Sequence, residues 1–361
     1  MAGKHGMAKD EAADPDRGRA RKTRAPAARS DIASFIVMDV MREAAELEAR
    51  GRSVIHMEVG QPGTPAPQAA LAAASSALAT ETLGYTAALG IDALRQRIAR
   101  SYRDRHDVDV EENRIVVCTG SSAAFILAFL ALFDSGARVA LPSPGYPCYR
   151  HILSALGCRS PLIETGPETR WMPTRDAVAR LHGEGGLDGL LIASPANPTG
   201  TMIEPERLAE LVRICDQHGI WFISDEIYHG LTYGAPATTA LSVSSDAIVI
   251  NSFSKYYAMT GWRIGWLVVP PSLVRVVERL QQRVFISAPA VSQAAALGAF
   301  AGVDELERNR EIYAKNRALL LKALPEAGFS KLAPADGAFY LYADVSAFTD
   351  DARAFASAML H

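Results

Sequence analysis

The sequence predicts an α/β protein with a large, mostly parallel sheet domain and a smaller α+β domain. Short apolar runs alternate with helical patterns through the middle of the chain, which is typical of a parallel sheet with helices on both faces. The chain has 361 residues. A single hydrophobic core does not normally accommodate a chain of this length, so two domains are expected. Hydrophobic residues make up 49% and charged residues 21%, the balance of an ordinary globular protein.

The elements before the sheet are helices around one short strand. Ile32–Arg50 carries apolar residues at helical spacing and ends at a glycine, so it predicts a helix. Val54–Val59 is predicted to be a strand that leads into an irregular loop rich in glycine and proline. Two more helices are predicted at Pro67–Thr80 and Ile91–His106.

The sheet itself is predicted from short apolar segments, namely Arg114–Cys118, Arg138–Leu141, Gly189–Ile192, Trp221–Ser224 and Ala247–Asn251. Helices at Ser121–Phe133 and Pro205–His218 cross between strands, and Leu273–Phe285 is an amphipathic helix that leads away from them. Crossovers of this kind are right-handed, and ligands bind beyond the carboxyl ends of the strands. We therefore expect the functional residues at those strand ends.

The predicted domain boundaries follow from the same pattern. Residues 61–285 form the large domain, and residues 31–60 together with 286–361 form the small one. Residues 1–30 are rich in Ala, Gly, Pro and basic side chains, which predicts a disordered basic tail.

Composition also excludes several classes of partner and compartment. No apolar run is long enough to span a bilayer, and residues 1–30 contain no apolar core of a secretory signal. The net charge of −3 argues against a nucleic-acid surface spread over the whole molecule. The four cysteines have no metal-binding or CxxC spacing, so we expect reduced thiols in a cytoplasmic protein without a metal site.

One group of strand-end residues is suited to phosphate and amine chemistry. Gly120, Ser121 and Ser122 open a helix, where free backbone N–H groups bind anions. Ser252 and Arg263 flank Lys255 and could complete a phosphate site, since the planar guanidinium donates two hydrogen bonds at once. A lysine beside a phosphate site is typical of a lysine that forms a Schiff base.

The other strand-end residues match the ring of a pyridine cofactor. Asp225 could bond a protonated ring nitrogen and so maintain an electron sink. Asn197 and Tyr228 could both bond a ring hydroxyl, and Tyr146 could stack on the ring face. Each residue alone is an ordinary cap, turn or packing residue. Their joint occurrence predicts a site for pyridoxal 5′-phosphate (PLP).

These motifs, in this order and at these separations, resemble the class I/II PLP-dependent aminotransferases, from about Ile32 to the end of the chain. The resemblance implies the PLP-transferase fold of aspartate aminotransferase and transfer of an amino group between an L-amino acid and a 2-oxo acid. It implies that Lys255 holds the cofactor as a Schiff base and moves the proton, with Asp225 and Tyr228 as catalytic partners. It adds Gly60 and Asn197 as substrate-binding residues. Tyr85 would reach the cofactor phosphate of a second subunit, which implies a homodimer.

The chain departs from the family pattern at two places. Ser122 stands where related bacterial aspartate aminotransferases carry a lysine for the distal carboxylate, so we expect a weaker preference for dicarboxylic amino acids. The family motif at 337–340 is normally followed by a further strand and helix that carry a carboxylate-binding arginine. This chain ends at His361, which predicts an incomplete small domain.

Two alternatives stay open at this point. Another PLP reaction on the same fold, such as that of a β-lyase or a synthase, depends on pocket geometry that sequence does not reveal. A non-catalytic remnant that binds PLP or another ligand is the second alternative.

Overall fold

A computed structural model of the chain describes residues 24–361. Residues 1–30 are the predicted disordered tail, and residues 1–23 of it lie outside the described residues. Residues 24–30 are exposed, and Ala28–Ser30 forms a short helical turn.

A seven-stranded sheet forms the centre of the molecule. Its strands are Ile115–Cys118 (β1), Val139–Ser143 (β2), Leu162–Glu164 (β3), Gly189–Ala193 (β4), Trp221–Asp225 (β5), Ile248–Ser252 (β6) and Gly265–Val268 (β7). The strand order is β1-β7-β6-β5-β4-β2-β3, and only β7 runs antiparallel to its neighbours among these strands. The prediction of a mostly parallel α/β sheet is therefore confirmed.

Eleven α-helices surround or follow this sheet in the described residues. They are Ile36–Ala49 (α1), Gln68–Thr80 (α2), Asp92–His106 (α3), Gly120–Leu132 (α4), Cys148–Ala155 (α5), Arg175–Gly183 (α6), Pro205–His218 (α7), Pro271–Val284 (α8), Ala290–Ala299 (α9), Val303–Glu326 (α10) and Ala352–Leu360 (α11). Among the described residues, no helix has the length and apolar character needed to cross a bilayer.

The sheet is buried on both faces because successive strand residues point to opposite sides. Val249 of β6 packs with α3 and α7 in one apolar cluster, while Ile248 and Ile250 pack with α4 and α5 in the other. Helix α4 is apolar around most of its circumference and contributes Phe129, which is fully buried. A helix of this kind is stable only between other layers of the fold.

One predicted element is wrong. Val54–Val59 forms no strand, and within it the side chains of Ile55 and Met57 are 84% and 73% exposed. A strand needs a hydrogen-bonded neighbour, and in the described residues this segment has none. The apolar pattern of the segment was therefore insufficient to predict its conformation.

Candidate active site

The carboxyl ends of β4, β5 and β6 bring the predicted residues together. Ala193 of β4 lies beside Asp225 of β5 in the parallel register, and β6 pairs with the other edge of β5. Asn197 follows β4 and Lys255 follows β6, so each side chain leaves the sheet at the same edge. This arrangement agrees with the general location of ligand sites in open α/β sheets.

Asp225 supplies a buried negative charge at the end of β5. Its side chain accepts hydrogen bonds from the backbone N–H of Ile227 at 3.1 Å and from the hydroxyl of Tyr149. Burial raises the pKa of Asp225 to about 6, although both hydrogen bonds and the charge of Lys255 lower it. At neutral pH the carboxylate is therefore ionised but close to its titration range.

Lys255 is half-buried, and its amine lies within the site. Nζ donates to the carbonyl oxygen of Gly60 at 2.6 Å. Burial is the main cause that lowers the pKa of Lys255 to about 8; the charge of Asp225 opposes this shift and the charge of Arg263 adds to it. A lysine with a pKa near 8 is about one-tenth free amine at pH 7, and the free amine is the nucleophilic form.

The start of α4 and the side chain of Arg263 lie together, at the place where the sequence predicts a phosphate cradle. Gly120 has a φ of +75°, and a Cβ placed there would lie 2.4 Å from a guanidinium nitrogen of Arg263. Among the described residues, no side chain caps the first turn of α4, so its N–H groups are free for an anion. Ser121 and Ser122 lie in this turn and are half-buried and exposed, respectively.

Ser252 and Tyr146 also lie at this end of the sheet. The hydroxyl of Ser252 is buried and bonds the Ser254 hydroxyl at 2.8 Å and the carbonyl of Ile264 at 3.0 Å. The ring of Tyr146 meets that of Tyr149 edge-on, with centroids 5.2 Å apart. Tyr149 in turn contacts Asp225, so the two tyrosines connect the predicted ring-stacking residue with the predicted ring-nitrogen partner.

Asn197 and Tyr228 meet at a third hydroxyl, that of Tyr340. Asn197 Nδ2 donates to the Tyr340 oxygen at 3.1 Å, and the hydroxyls of Tyr228 and Tyr340 are 2.5 Å apart. Gly60 packs against the same tyrosine, because a Cβ on Gly60 would meet its hydroxyl oxygen at 2.2 Å. The predicted ring-hydroxyl and substrate residues are thus close together.

Tyr85 lies apart from this group on the surface. Its side chain is 86% exposed in the single chain. Its contact with the cofactor of a second subunit stays a prediction.

Sequence reasoning missed two functional candidates, Tyr149 and Tyr340. Tyr149 lies three positions after Tyr146, and Tyr340 ends a motif whose resemblance to the family was noted without a role for that residue. Both act through side chains far away in the sequence, so no local pattern indicates their contacts. In the part of the chain that the structure describes, no group of His, Cys, Asp or Glu is placed to hold a metal ion.

Comparison with known proteins agrees with this geometry. The family model for aminotransferase class I and II matches residues 52–361. The valine–pyruvate aminotransferase of Mycobacterium tuberculosis is 51% identical over 338 residues, covering 92% of this chain and 87% of that protein. The crystal structure of an aminotransferase from the same organism superimposes with a TM-score of 0.92 at 50% identity, covering 94% of this chain and 88% of that one.

A more distant structure shows the same fold. Aspartate aminotransferase from Thermus thermophilus with maleate is 29% identical and has a TM-score of 0.87, covering 91% of this chain and 87% of that one. The chain belongs to the aminotransferase class I and II family. It is a PLP-dependent aminotransferase with the aspartate aminotransferase-like fold, as the sequence predicted.

The residues present fit this cofactor. The Gly120–Arg263 cradle leaves space for a phosphate where a side chain on Gly120 would collide with the guanidinium. Asp225 offers a buried carboxylate for a ring nitrogen, and Lys255 offers an amine whose pKa is lowered to about 8. Together they match the anionic phosphate, basic nitrogen and aldehyde of PLP.

Proposed function

We propose that this enzyme transfers the amino group of an aliphatic L-amino acid such as valine to a small 2-oxo acid such as pyruvate. The observation that carries the proposal is an apolar cavity of about 340 Å³ bordered by Tyr146 and Asn197. The name of the M. tuberculosis relative supports the same substrates.

The chemistry of the cavity favours an uncharged side chain. Its lining includes Ile36, Leu162, Trp171 and Met172, and Arg150 is the one charged residue among the lining residues that the structure describes. An apolar side chain is stabilised as it leaves water, whereas a carboxylate loses hydration for which this lining offers only the exposed Arg150 as a charged partner. Ser122 at the start of α4 supplies no cation for a distal carboxylate.

Each polar residue has a proposed part in the reaction. Arg263, Ser252 and the first turn of α4 would hold the phosphate, and Asp225 would hold the ring nitrogen in its protonated form. PLP, when bound, supplies the electron sink that stabilises negative charge developing at the substrate α-carbon. Lys255 would accept the α-proton and return it, with its lowered pKa matched to that exchange. Asn197 and the backbone of Gly60 would orient the α-carboxylate.

The proposal includes a homodimer in the cytoplasm with the domain division predicted above, residues 61–285 against 31–60 plus 286–361. The ring of Tyr85 is 86% exposed and is therefore accessible to a partner subunit, which supports the proposal. The free thiols of Cys118, Cys148, Cys158 and Cys215 support a reducing compartment. Sedimentation velocity of the wild type and of a Tyr85→Ala variant would test the subunit contact.

Absorption spectroscopy tests the substrate proposal. Purified protein mixed with PLP should show the visible band of the lysine-bound cofactor, and a Lys255→Ala variant should lack that band. Valine should then convert the band to that of the aminated cofactor about tenfold faster than aspartate, since pocket contacts discriminate at this level. Equal or faster conversion by aspartate would reject the aliphatic preference. Release of ammonia without amination of pyruvate would instead identify a lyase.

A further inference from the structure

The hydroxyl of Tyr340 lies between two residues proposed to bind the ring oxygen of the cofactor. It accepts a hydrogen bond from Asn197 Nδ2 at 3.1 Å and lies 2.5 Å from the hydroxyl of Tyr228. Tyr228 is buried and Asn197 is half-buried, so bulk water does not replace these contacts. A phenol in this place affects how both neighbours are oriented.

The backbone on which Tyr340 sits is fixed to the sheet domain. The N–H of Gly337 donates to the carbonyl of Gly200 at 2.8 Å, and the N–H of Ala338 donates to the carbonyl of Leu231 at 2.8 Å. The hydroxyl of Tyr233 donates to the carbonyl of Ala338 at 2.6 Å. These bonds hold the segment beside Asn197, which makes Tyr340 a permanent part of the site.

Either hydroxyl of the Tyr228–Tyr340 pair can be the donor in their shared hydrogen bond. Burial raises the pKa of Tyr340 to about 12 and raises that of Tyr228 well above its ordinary value, so each carries one proton at neutral pH. Asn197 already donates to the Tyr340 oxygen. If Tyr340 then donates to the Tyr228 oxygen, the Tyr228 proton and the second N–H of Asn197 both stay free for one further acceptor.

We propose that Tyr340 is a positioning residue whose hydroxyl directs the Tyr228 proton and the free Asn197 N–H toward the ring oxygen of the bound cofactor. This inference rests on the proposed PLP site and deepens it. Tyr340 acts through its two neighbours, and the chain of donors strengthens because each hydrogen bond polarises the next. Donors aimed at the ring oxygen stabilise its anionic form.

The test is a pH titration of the visible absorption of wild-type and Tyr340→Phe proteins loaded with PLP. Without the hydroxyl, the donors to the ring oxygen weaken, so the cofactor holds its proton to higher pH. The loss of one net hydrogen bond predicts an upward shift of the midpoint by about 0.4–1 pH unit. The ionisable groups around the pair, Asp225, Lys255 and Tyr146, are unchanged in this variant.

Tyr233→Phe is the matched control, since it removes a hydroxyl that bonds the same segment without contacting Asn197 or Tyr228. The inference is supported if only Tyr340→Phe shifts the midpoint, with an unchanged circular-dichroism spectrum. An unchanged or lowered midpoint in Tyr340→Phe, or an equal shift in both variants, would overturn it. Failure of the PLP assignment gives a different result, a visible band that is absent or that persists in Lys255→Ala.

Discussion

Replacement of Tyr149 by phenylalanine tests how this site keeps a buried carboxylate ionised. The Asp225 side chain is 4% exposed, and its hydrogen-bond donors among the described residues are the Tyr149 hydroxyl and the N–H of Ile227. Burial raises the pKa of Asp225 to about 6, and both hydrogen bonds keep it from rising further. Tyr149→Phe removes one of these donors and keeps the ring that packs against Tyr146.

The size of the effect follows from the charge on the acceptor. A hydrogen bond to a charged group contributes about 1.5–3 kcal/mol, and one pKa unit corresponds to about 1.4 kcal/mol. The pKa of Asp225 should therefore rise by about 1–2 units. At pH 7 the ionised fraction would fall from about 90% to between about 10% and 50%. Affinity for PLP, which needs the carboxylate for its ring nitrogen, should fall by about 2- to 10-fold at that pH.

The assay is the dissociation constant for PLP measured by absorbance between pH 5 and pH 9. Wild type and Tyr149→Phe should converge near pH 9, where Asp225 is ionised in both, and should separate as the pH falls. The control is Tyr102→Phe, which also removes a buried hydroxyl but one that accepts from Trp266 Nε1 at 3.0 Å. The electrostatic role of the Tyr149 hydroxyl would be refuted if the PLP dissociation constants of wild type and Tyr149→Phe changed in parallel with pH. It would also be refuted if Tyr102→Phe departed from wild type as much as Tyr149→Phe does.

Three further predictions concern the cradle, a buried acid and the core. Gly120→Ala should weaken PLP binding in a calorimetric titration, whereas Gly136→Ala, which shares a positive φ but has open space, should only lower the melting temperature. Burial raises the pKa of Glu226 from 4.5 to about 8, so the folded wild type loses stability as pH rises between these values. Glu226→Gln should make the melting temperature less dependent on pH across that range. Phe129→Ala should lower the free energy of unfolding, measured in urea, by about 3–5 kcal/mol. Leu130 is 40% exposed, so Leu130→Ala should lower it much less.

The parts of the fold that sequence predicted are those with a complete local pattern. Helix α7 and strands β4 to β6 each carry their own periodicity, and each was predicted within a few residues of its observed bounds. Strand β3, of three residues, and strand β7, of four, were not predicted. The place of β7 between β1 and β6 depends on pairing with residues far away in the chain.

The residues of the site also divide into those that a local sequence pattern indicates and those that depend on distant segments. Asn197, Asp225 and Lys255 were predictable because each lies at the carboxyl end of a strand or shortly after it, and the strands of a parallel sheet end at one edge. Tyr149 and Tyr340 reach Asp225 and Asn197 from positions 76 and 143 residues away in the sequence. Only the packing of separate segments creates those contacts, and no spacing rule anticipates them.

One residue that sequence missed, Tyr149, contributes to the electrostatics of Asp225, which sequence found. Burial changes the pKa values of Asp225 and Lys255 in opposite directions, to about 6 and about 8, because it disfavours the charged form of each. Tyr149 limits the rise for the carboxylate and so keeps it ionised at neutral pH, where part of the amine is already free. Strand ends therefore determine which groups meet, while contacts from distant segments determine their protonation and hence their chemistry.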